Sequence, residues 1–228
     1  MKPSLICCTF LALSFVVVAC GDDGDSATRP SDESSSSVAL SSSSSFAVIP
    51  GLTGNLLTDS RDGQTYKTVT IGTQTWMAEN LNFKTANSYC YNDSAEYCSK
   101  YGRLYTWAAA MEACPAGWHL PTEAEFKALI NAIGGESVAG TKLKSTSGWY
   151  NSGNGISGSD DFFFSALPAG NRDGNGDFYH EGYEASFWSS TEFYSDGVIY
   201  MNLDYDNCYA YLKGFDKNNG LSVRCVMD

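Results

Sequence analysis

The chain has 228 residues, with 14 basic and 26 acidic side chains and a formal net charge of −12. This length can bury a sizeable hydrophobic core, and an aromatic content of 14 % argues against a disordered acidic chain. The acidic balance argues against nucleic acid as a partner, because phosphate contacts need clustered lysine and arginine.

The first residues have the pattern of an export signal. Lys2 precedes an apolar run over residues 5–19, which is short for a membrane span of roughly 20 residues and typical of a secretory signal peptide. Residues 17–20 read Val-Val-Ala-Cys and resemble the lipobox of bacterial lipoproteins. The resemblance implies a signal peptide over residues 1–19 and lipidation of Cys20. The alternative is an ordinary signal peptide in which Cys20 is incidental.

The segment after the signal indicates where the protein is displayed. Gly21 follows the cysteine, which favours delivery to the outer membrane, and the acidic run over residues 22–25 resembles the surface-export signals of Gram-negative lipoproteins. Residues 26–45 are mostly serine and cannot bury enough apolar surface to fold. We therefore predict a disordered tether over residues 20–50 and one folded domain over residues 51–228.

The domain begins with a predicted hairpin and two predicted helices. Residues 66–71 and 74–78 alternate around a Gly72 turn and are rich in β-formers, which predicts two paired strands. A helix is predicted over residues 105–114, ended by Pro115. A second helix over residues 121–130 has Thr122 as N-cap and Glu125 three positions later, as in a capping box. Its core face is predicted to consist of Phe126, Leu129, Ile130 and Ile133.

The second half of the domain alternates between loop and strand patterns. Glycine and serine dominate residues 134–161, which predicts a long loop, and loops of that length are usually functional or mobile. Short strands are predicted over residues 162–167, 187–190, 198–203, 209–213 and 221–226. Two helices with short, mostly antiparallel strands indicate an α+β fold.

Five separated motifs resemble one known family. They cover residues 76–81, 114–122, 164–170, 187–191 and 223–226. They are similar to the Fibrobacter succinogenes major paralogous domain, a family of secreted bacterial domains without an assigned activity, and the similarity extends over residues 58–228. A more distant resemblance, carried by residues 107–120 and 224–226, is to the C-type lectin-like fold shared with formylglycine-generating-enzyme domains. It implies that fold and a disulfide bond between Cys114 and Cys225.

The other cysteines have different expected fates. Cys7 and Cys8 leave with the signal peptide, whereas export makes disulfides plausible for the domain. Cys90 and Cys98 flank a turn-like stretch and are predicted to staple a local hairpin. Cys208 then remains, and we predict a buried or poorly reactive thiol, because neither a zinc-ligand pattern nor a nearby base is evident.

Two groups of oxygen-bearing side chains suggest calcium. The first group matches ligand positions of an EF-hand loop and consists of Asp173, Asn175, Asp177 and Glu184. However, Phe178 stands where that loop needs glycine, and the alternative is a polar hairpin turn. The second group, Asp204, Asp206 and Asn207, lies between two predicted strands. It lacks the triplets with which C-type lectins bind sugar through calcium.

Aromatic side chains are the candidate ligand-binding residues: Trp149, Tyr205, Tyr209 and Tyr211. If residues 205–211 stay extended, their alternation puts the three tyrosines on one face. The alternative is that most of them are packing residues. Because no catalytic motif is present, we predict no enzyme. The expected function is an outer-membrane or cell-surface lipoprotein that displays a binding domain for extracellular polysaccharide or envelope protein. The alternative is an envelope structural component without a soluble ligand.

Overall fold

The computed structural model describes residues 55–228 except 152, 154, 155 and 196. The predicted signal peptide (1–19) and the predicted tether (20–50), with Cys20, lie outside the described residues. Within the described part of the chain, no helix is both long and apolar enough to cross a membrane. The described residues form helices and mostly antiparallel strands, which confirms the α+β fold.

The first sheet joins the beginning of the domain to its end. Its strands, in spatial order, are β1 (Leu56–Thr58), β2 (Thr65–Ile71), β3 (Gln74–Met77), β13 (Val226–Met227) and β6 (Trp118–His119). Strands β2 and β3 pair as a hairpin with Ile71 opposite Gln74, as the sequence predicted. The last strand, β13, lies between β3 and β6 and is hydrogen-bonded to both.

Helix α3 (Glu123–Ala132) confirms the second predicted helix. Thr122 accepts a hydrogen bond from the Glu125 amide, while the Glu125 side chain bonds back to the Thr122 amide, which forms the predicted capping box. All four residues of the predicted core face are buried. The Phe126 ring stacks on Trp76 of β3 with ring centroids 5.4 Å apart, so the helix packs on the first sheet.

Two further sheets complete the domain. One has the order β11 (Ala210–Asp216), β10 (Gly197–Asp204), β9 (Glu184–Glu192) and contains the strands predicted at 187–190, 198–203 and 209–213. The other has the order β4 (Ser88–Tyr89), β5 (Leu104–Thr106), β12 (Gly220–Leu221), β7 (Ala169–Arg172), β8 (Phe178–Glu181).

Successive residues of β3 and of β9 lie in two different core clusters. Trp76 and Phe187 lie in the cluster that contains α3, whereas Met77 and Trp188 lie in a second cluster with Tyr105. Because successive side chains of a strand point to opposite faces, these two strands separate the two clusters. The core therefore lies on both sides of the strands that carry the family-like motifs.

The first predicted helix, over residues 105–114, was wrong in extent. Residues 104–106 form β5, where Tyr105 pairs with both Leu221 and Ser88. Only α2 (Trp107–Ala110) is helical, and Thr106 caps it by accepting from the Ala109 amide. Sheet pairing with distant segments takes residues 105 and 106 out of the predicted helix, while the alanine-rich stretch itself is helical and is followed by a turn over residues 111–113.

Three other expectations need correction. Residues 134–161 are not all loop, because they contain α4 (Glu136–Leu143). Residues 162–167 form no strand beyond a bridge at Ala166, since Phe163 and Ser165 adopt positive φ values of 56° and 51°, which a strand does not allow. Of residues 221–226, only the two ends belong to strands, β12 and β13. The sequence also missed α1 (Ala95–Tyr101).

Candidate functional site

The candidate site begins at Lys144, the residue after α4. Its side chain is fully buried, and its Nζ donates to the carbonyl oxygens of Ile156 (2.8 Å), Asp204 (2.9 Å) and Asn207 (3.0 Å). Ile156 belongs to what we call the long loop, the described residues of the segment 144–168 (144–151, 153 and 156–168). Asp204 is the last residue of β10, and Asn207 belongs to the turn between β10 and β11. One ammonium group therefore joins the long loop to that turn.

Main-chain hydrogen bonds bring three tyrosines together at the same place. The Tyr150 amide donates to the Gly182 carbonyl (2.7 Å), and the Tyr205 amide donates to the Tyr183 carbonyl (2.9 Å). The Ile156 amide in turn donates to the Tyr205 carbonyl (3.0 Å). The long loop, the β8–β9 turn and the β10–β11 turn are thus connected through their backbones.

The rings of these residues form what we call the tyrosine cluster, Tyr150, Tyr183 and Tyr205. Tyr150 and Tyr183 stack with centroids 4.6 Å apart, and Tyr205 contacts both rings edge-on at 5.7 and 5.1 Å. Tyr150 is 47 % exposed and Tyr183 is 37 % exposed. The cluster therefore presents aromatic surface to solvent on a backbone that is hydrogen-bonded on several sides.

The predicted ligand-binding residues are only partly brought together. Tyr205 joins the tyrosine cluster, but Tyr209 and Tyr211 stack on each other, with centroids 5.4 Å apart. Trp149 is half-buried against the core, and its Nε1 donates to Ser145 Oγ. The condition for one shared face is not met, because the chain turns before β11 begins at Ala210 and residues 205–211 do not stay extended. Tyr183 was missed, since no sequence spacing connects it to Tyr150 or Tyr205.

Carboxylates are sequence neighbours of two residues of the tyrosine cluster. Glu184 directly follows Tyr183, and Asp204 and Asp206 flank Tyr205. Burial, followed by the neighbouring charges of Asp206 and Glu184, raises the pKa of Asp204. The predicted second oxygen cluster thus lies at the end of β10 and in the turn that follows it.

The predicted EF-hand-like set does not assemble. Residues 173–177 form the turn of the β7–β8 hairpin, where Asp173 Oδ1 accepts from the amides of Asn175 (2.9 Å), Gly176 (2.8 Å) and Asp177 (2.9 Å). These hydrogen bonds lower the pKa of Asp173, and the bond from the Asp177 amide contributes most. Glu184 instead accepts from Asn202 on β10. Among the described residues, no group of three or more histidine, cysteine or acidic side chains is placed to hold a metal ion.

The far end of the long loop is held by Arg224. Its fully buried guanidinium donates to the carbonyls of Phe164 and Ser165 in the loop, to the Met77 carbonyl and to Asn80 Oδ1. Burial lowers its pKa to about 9, which still leaves the group charged at neutral pH. A buried cation therefore holds each end of the long loop.

The disulfide bonds lie away from the tyrosine cluster. Cys114 is bonded to Cys225, as the distant resemblance implied, and Cys90 is bonded to Cys98. The second bridge does not staple a hairpin, because it joins the start of a 3-10 turn (Tyr91–Asp93) to helix α1. Cys208 is buried and is the free cysteine among the described residues.

The five sequence motifs and the matched region now give the family. A family model described as the Fibrobacter succinogenes major domain matches residues 69–227. The chain belongs to this family. No curated protein and no solved structure matches the chain significantly.

Within this Fibrobacter succinogenes major domain, the motifs hold the framework rather than the tyrosine cluster. Trp76, Cys114, Arg224 and Cys225 are motif residues, and all of them pack in or bond across the core. The three tyrosines of the cluster lie outside all five motifs. Membership of the family therefore explains the fold of this chain, while its candidate ligand surface has to be judged from its own geometry.

Proposed function

We propose that this protein is a lipoprotein of the outer membrane or cell surface whose C-type-lectin-like domain binds extracellular polysaccharide without catalysing a reaction. The observation that carries the proposal is the exposed tyrosine cluster. Tyrosine rings combine an apolar face with a polar hydroxyl, which suits stacking on sugar rings. Loops held on a rigid scaffold are also the usual place for binding residues.

The rigidity of the cluster supports the proposal. Backbone bonds from Tyr150 and Tyr205 to the β8–β9 turn hold the rings in place before any ligand arrives. A surface that is ordered in advance loses little conformational entropy on binding. An exposed aromatic surface of this kind suits a repeating chain better than a small solute enclosed in a cavity.

The charge around the cluster narrows the ligand class. Glu184, Asp204 and Asp206 are sequence neighbours of Tyr183 and Tyr205, and the whole chain carries a net charge of −12. Acidic polysaccharides would be repelled by these carboxylates, particularly at low ionic strength. The proposed ligand is therefore an uncharged polysaccharide.

A pull-down of the full chain on insoluble polysaccharides tests the proposal. We expect retention on cellulose and xylan and none on de-esterified pectin. Tyr150→Ala and Tyr183→Ala should weaken retention by about tenfold or more, as expected for central aromatic contacts. Tyr194→Ala is the matched control, because Tyr194 is 72 % exposed on the β9–β10 hairpin and lies outside the cluster.

Two outcomes would contradict the proposed ligand. Retention that is equal in all three variants would remove the tyrosine cluster from binding. Absence of retention on every polysaccharide would favour the alternative, an envelope structural component without a soluble ligand.

The anchor is tested separately. Cells that express the full chain should incorporate labelled palmitate, and Cys20→Ala should abolish the incorporation, because the Cys20 thiol is the proposed lipidation site. Protease treatment of intact cells should release the domain if it faces outward. Complete protection of the domain would contradict surface display.

A further inference from the structure

We propose that the Lys144 ammonium is an internal cation that takes the structural role of a bound metal ion. It holds the long loop against the β10–β11 turn and so positions the tyrosine cluster, which makes ligand binding there independent of divalent cations. The proposal extends the proposed polysaccharide binding and depends on it only for the identity of the ligand. The structural part can be tested without any ligand.

The geometry fits an ammonium group. Three carbonyl oxygens, those of Ile156, Asp204 and Asn207, converge on one nitrogen at 2.8 to 3.0 Å. These distances are those of N–H···O bonds, and an ammonium group has three donors to offer. Calcium would need oxygen ligands at about 2.3–2.6 Å. The carbonyls are therefore spaced for the lysine and not for calcium.

The burial of the charge is compensated locally. Lys144 is fully buried, and an ammonium group in such a place needs strong polar partners. The three carbonyl dipoles provide them, and the Trp149 ring lies 5.1 Å from Nζ, within the range of a cation–π contact. Ile156 and Asn207 lie in irregular backbone, whereas Asp204 is the last residue of β10, opposite Glu184 of β9. The ammonium and the two segments therefore stabilise each other.

The position of the tyrosine cluster depends on the same contacts. Asp204 directly precedes Tyr205, and the Ile156 amide donates to the Tyr205 carbonyl. Loss of the ammonium would remove a hydrogen-bond donor from the Ile156, Asp204 and Asn207 carbonyls at once, although Asp204 would keep its pairing with Glu184. Tyr150, in the same long loop, would then lose its fixed position relative to Tyr205. Lys144 is thus a positioning residue that needs no contact with the ligand.

Hydrogen exchange of the full chain, followed by mass spectrometry, tests the structural claim. Lys144→Met keeps an apolar stem of similar length but removes the ammonium. We expect amide exchange in peptides covering residues 156–159 and 204–207 to accelerate by about tenfold or more, because bonds to a charged donor are lost. The matched control is Lys142→Met, two residues earlier in α4, since Lys142 Nζ bonds to the carbonyl of Ile133 at 2.8 Å. It should leave both peptides unchanged.

Chemical rescue distinguishes a cation from a merely bulky side chain. Lys144→Ala removes three methylene groups and the ammonium, and n-propylammonium supplies the atoms needed to refill the space. We expect n-propylammonium to restore slow exchange in both peptides of Lys144→Ala. Tetramethylammonium, which carries the same charge without N–H donors, should not. Restoration by both ions, or by neither in a folded variant, would overturn the proposal.

Chelation tests the claim on the unmodified protein and covers the case in which Lys144→Ala does not fold. Chelator should change neither exchange in the two peptides nor retention on polysaccharide. Faster exchange after chelation would show that a metal ion holds the loop and would overturn the inference. Slow exchange together with absent retention on every polysaccharide would instead contradict only the proposed ligand. The two failures are therefore distinguishable.

Discussion

The first sheet with α3 and the long loop are stabilised by different kinds of contact. In the sheet region the fully buried rings of Trp76 and Phe126 stack, and the strands satisfy one another's backbone groups. In the long loop the fully buried cations Lys144 and Arg224 bind main-chain carbonyls. Irregular backbone lacks ladder partners, and its buried carbonyls need other donors. The comparison teaches that a segment with little regular structure can still be held tightly.

The largest expected effect concerns the disulfide bond that ties the last strand into the sheet region. The Cys114–Cys225 bridge spans 111 residues, and the chain-entropy relation gives it about 4–5 kcal/mol of unfolding free energy. The Cys90–Cys98 bridge spans 8 residues and should contribute about 2.5 kcal/mol. Urea denaturation of the two double Cys→Ala variants measures the difference. Equal losses would mean that loop length does not govern these bridges.

The next effect tests whether a buried cation holds the long loop. Arg224→Met removes the donors for three carbonyls and Asn80 Oδ1, and we expect the unfolding free energy to fall by about 3–4 kcal/mol. Arg224→Lys keeps the charge but not the planar guanidinium group. Its unfolding free energy should lie between those of Arg224→Met and the wild type. A loss below about 1 kcal/mol for Arg224→Met, measured in urea, would remove the contrast between the two regions.

A smaller effect concerns the packing of α4 under the β10–β11 turn. The Gly140 amide donates to the Cys208 carbonyl, and a Cβ at Gly140 would lie 2.2 Å from the Tyr209 carbonyl oxygen. We expect Gly140→Ala to cost about 1–3 kcal/mol through forced separation of helix and turn, measured by thermal and urea unfolding. The control is Gly174→Ala, where the nearest atom would lie at 3.4 Å, and it should change stability by less than about 0.5 kcal/mol.

The smallest effect is a pH dependence in the sheet region. Partial burial opposes charge on His119, but its hydrogen bonds to Asp228 and Glu125, at 2.6 and 2.9 Å, outweigh burial and raise its pKa. A raised folded-state pKa gives stability that is complete below the unfolded-state value of about 6.5 and is lost as the pH rises through the folded value. We expect a fall in unfolding free energy above about pH 6.5, of less than about 1 kcal/mol because solvent screens the partly exposed ring.

Substitution of the histidine's partner checks that assignment. Asp228→Asn removes one of the two carboxylates, so the loss of stability above about pH 6.5 should become smaller. The measurement is urea unfolding across that pH range. An unchanged pH profile in Asp228→Asn would contradict the role of this pair.

Local chemistry made several elements predictable. The capping box of Thr122 and Glu125 and the apolar spacing of Phe126 and Leu129 specified α3 without any knowledge of the fold. The β2–β3 hairpin was similarly encoded by alternation around Gly72. These signals act over a few residues, so the amino-acid sequence alone carries them. The family, too, was recognisable from motifs that were later matched over residues 69–227.

Non-local contacts decided the rest. The helix predicted over 105–114 begins two residues later because Tyr105 pairs with Leu221, far along the chain. Helix α4 was also missed. Its Gly140 amide bonds to the distant Cys208 carbonyl. In both cases the partner lies far along the chain, beyond any pattern in the local sequence. The EF-hand-like set differs, because there the deciding bonds are local: Asp173 accepts from its own neighbouring amides, in the hairpin turn that the sequence offered as the alternative.

The sequence by itself therefore determined the α+β class, the family, helix α3, the first hairpin and the candidate cysteines, because these depend on short-range periodicity, capping and recognisable motifs. Only the tertiary structure decided which aromatic residues meet. Tyr150, Tyr183 and Tyr205 come from three separate connections, and their rings meet because backbone bonds and the buried Lys144 ammonium join those connections. Hydrogen bonds to main-chain carbonyls depend on the path of the backbone and not on the identity of the residue that carries the carbonyl. No reading of side-chain types could have placed them.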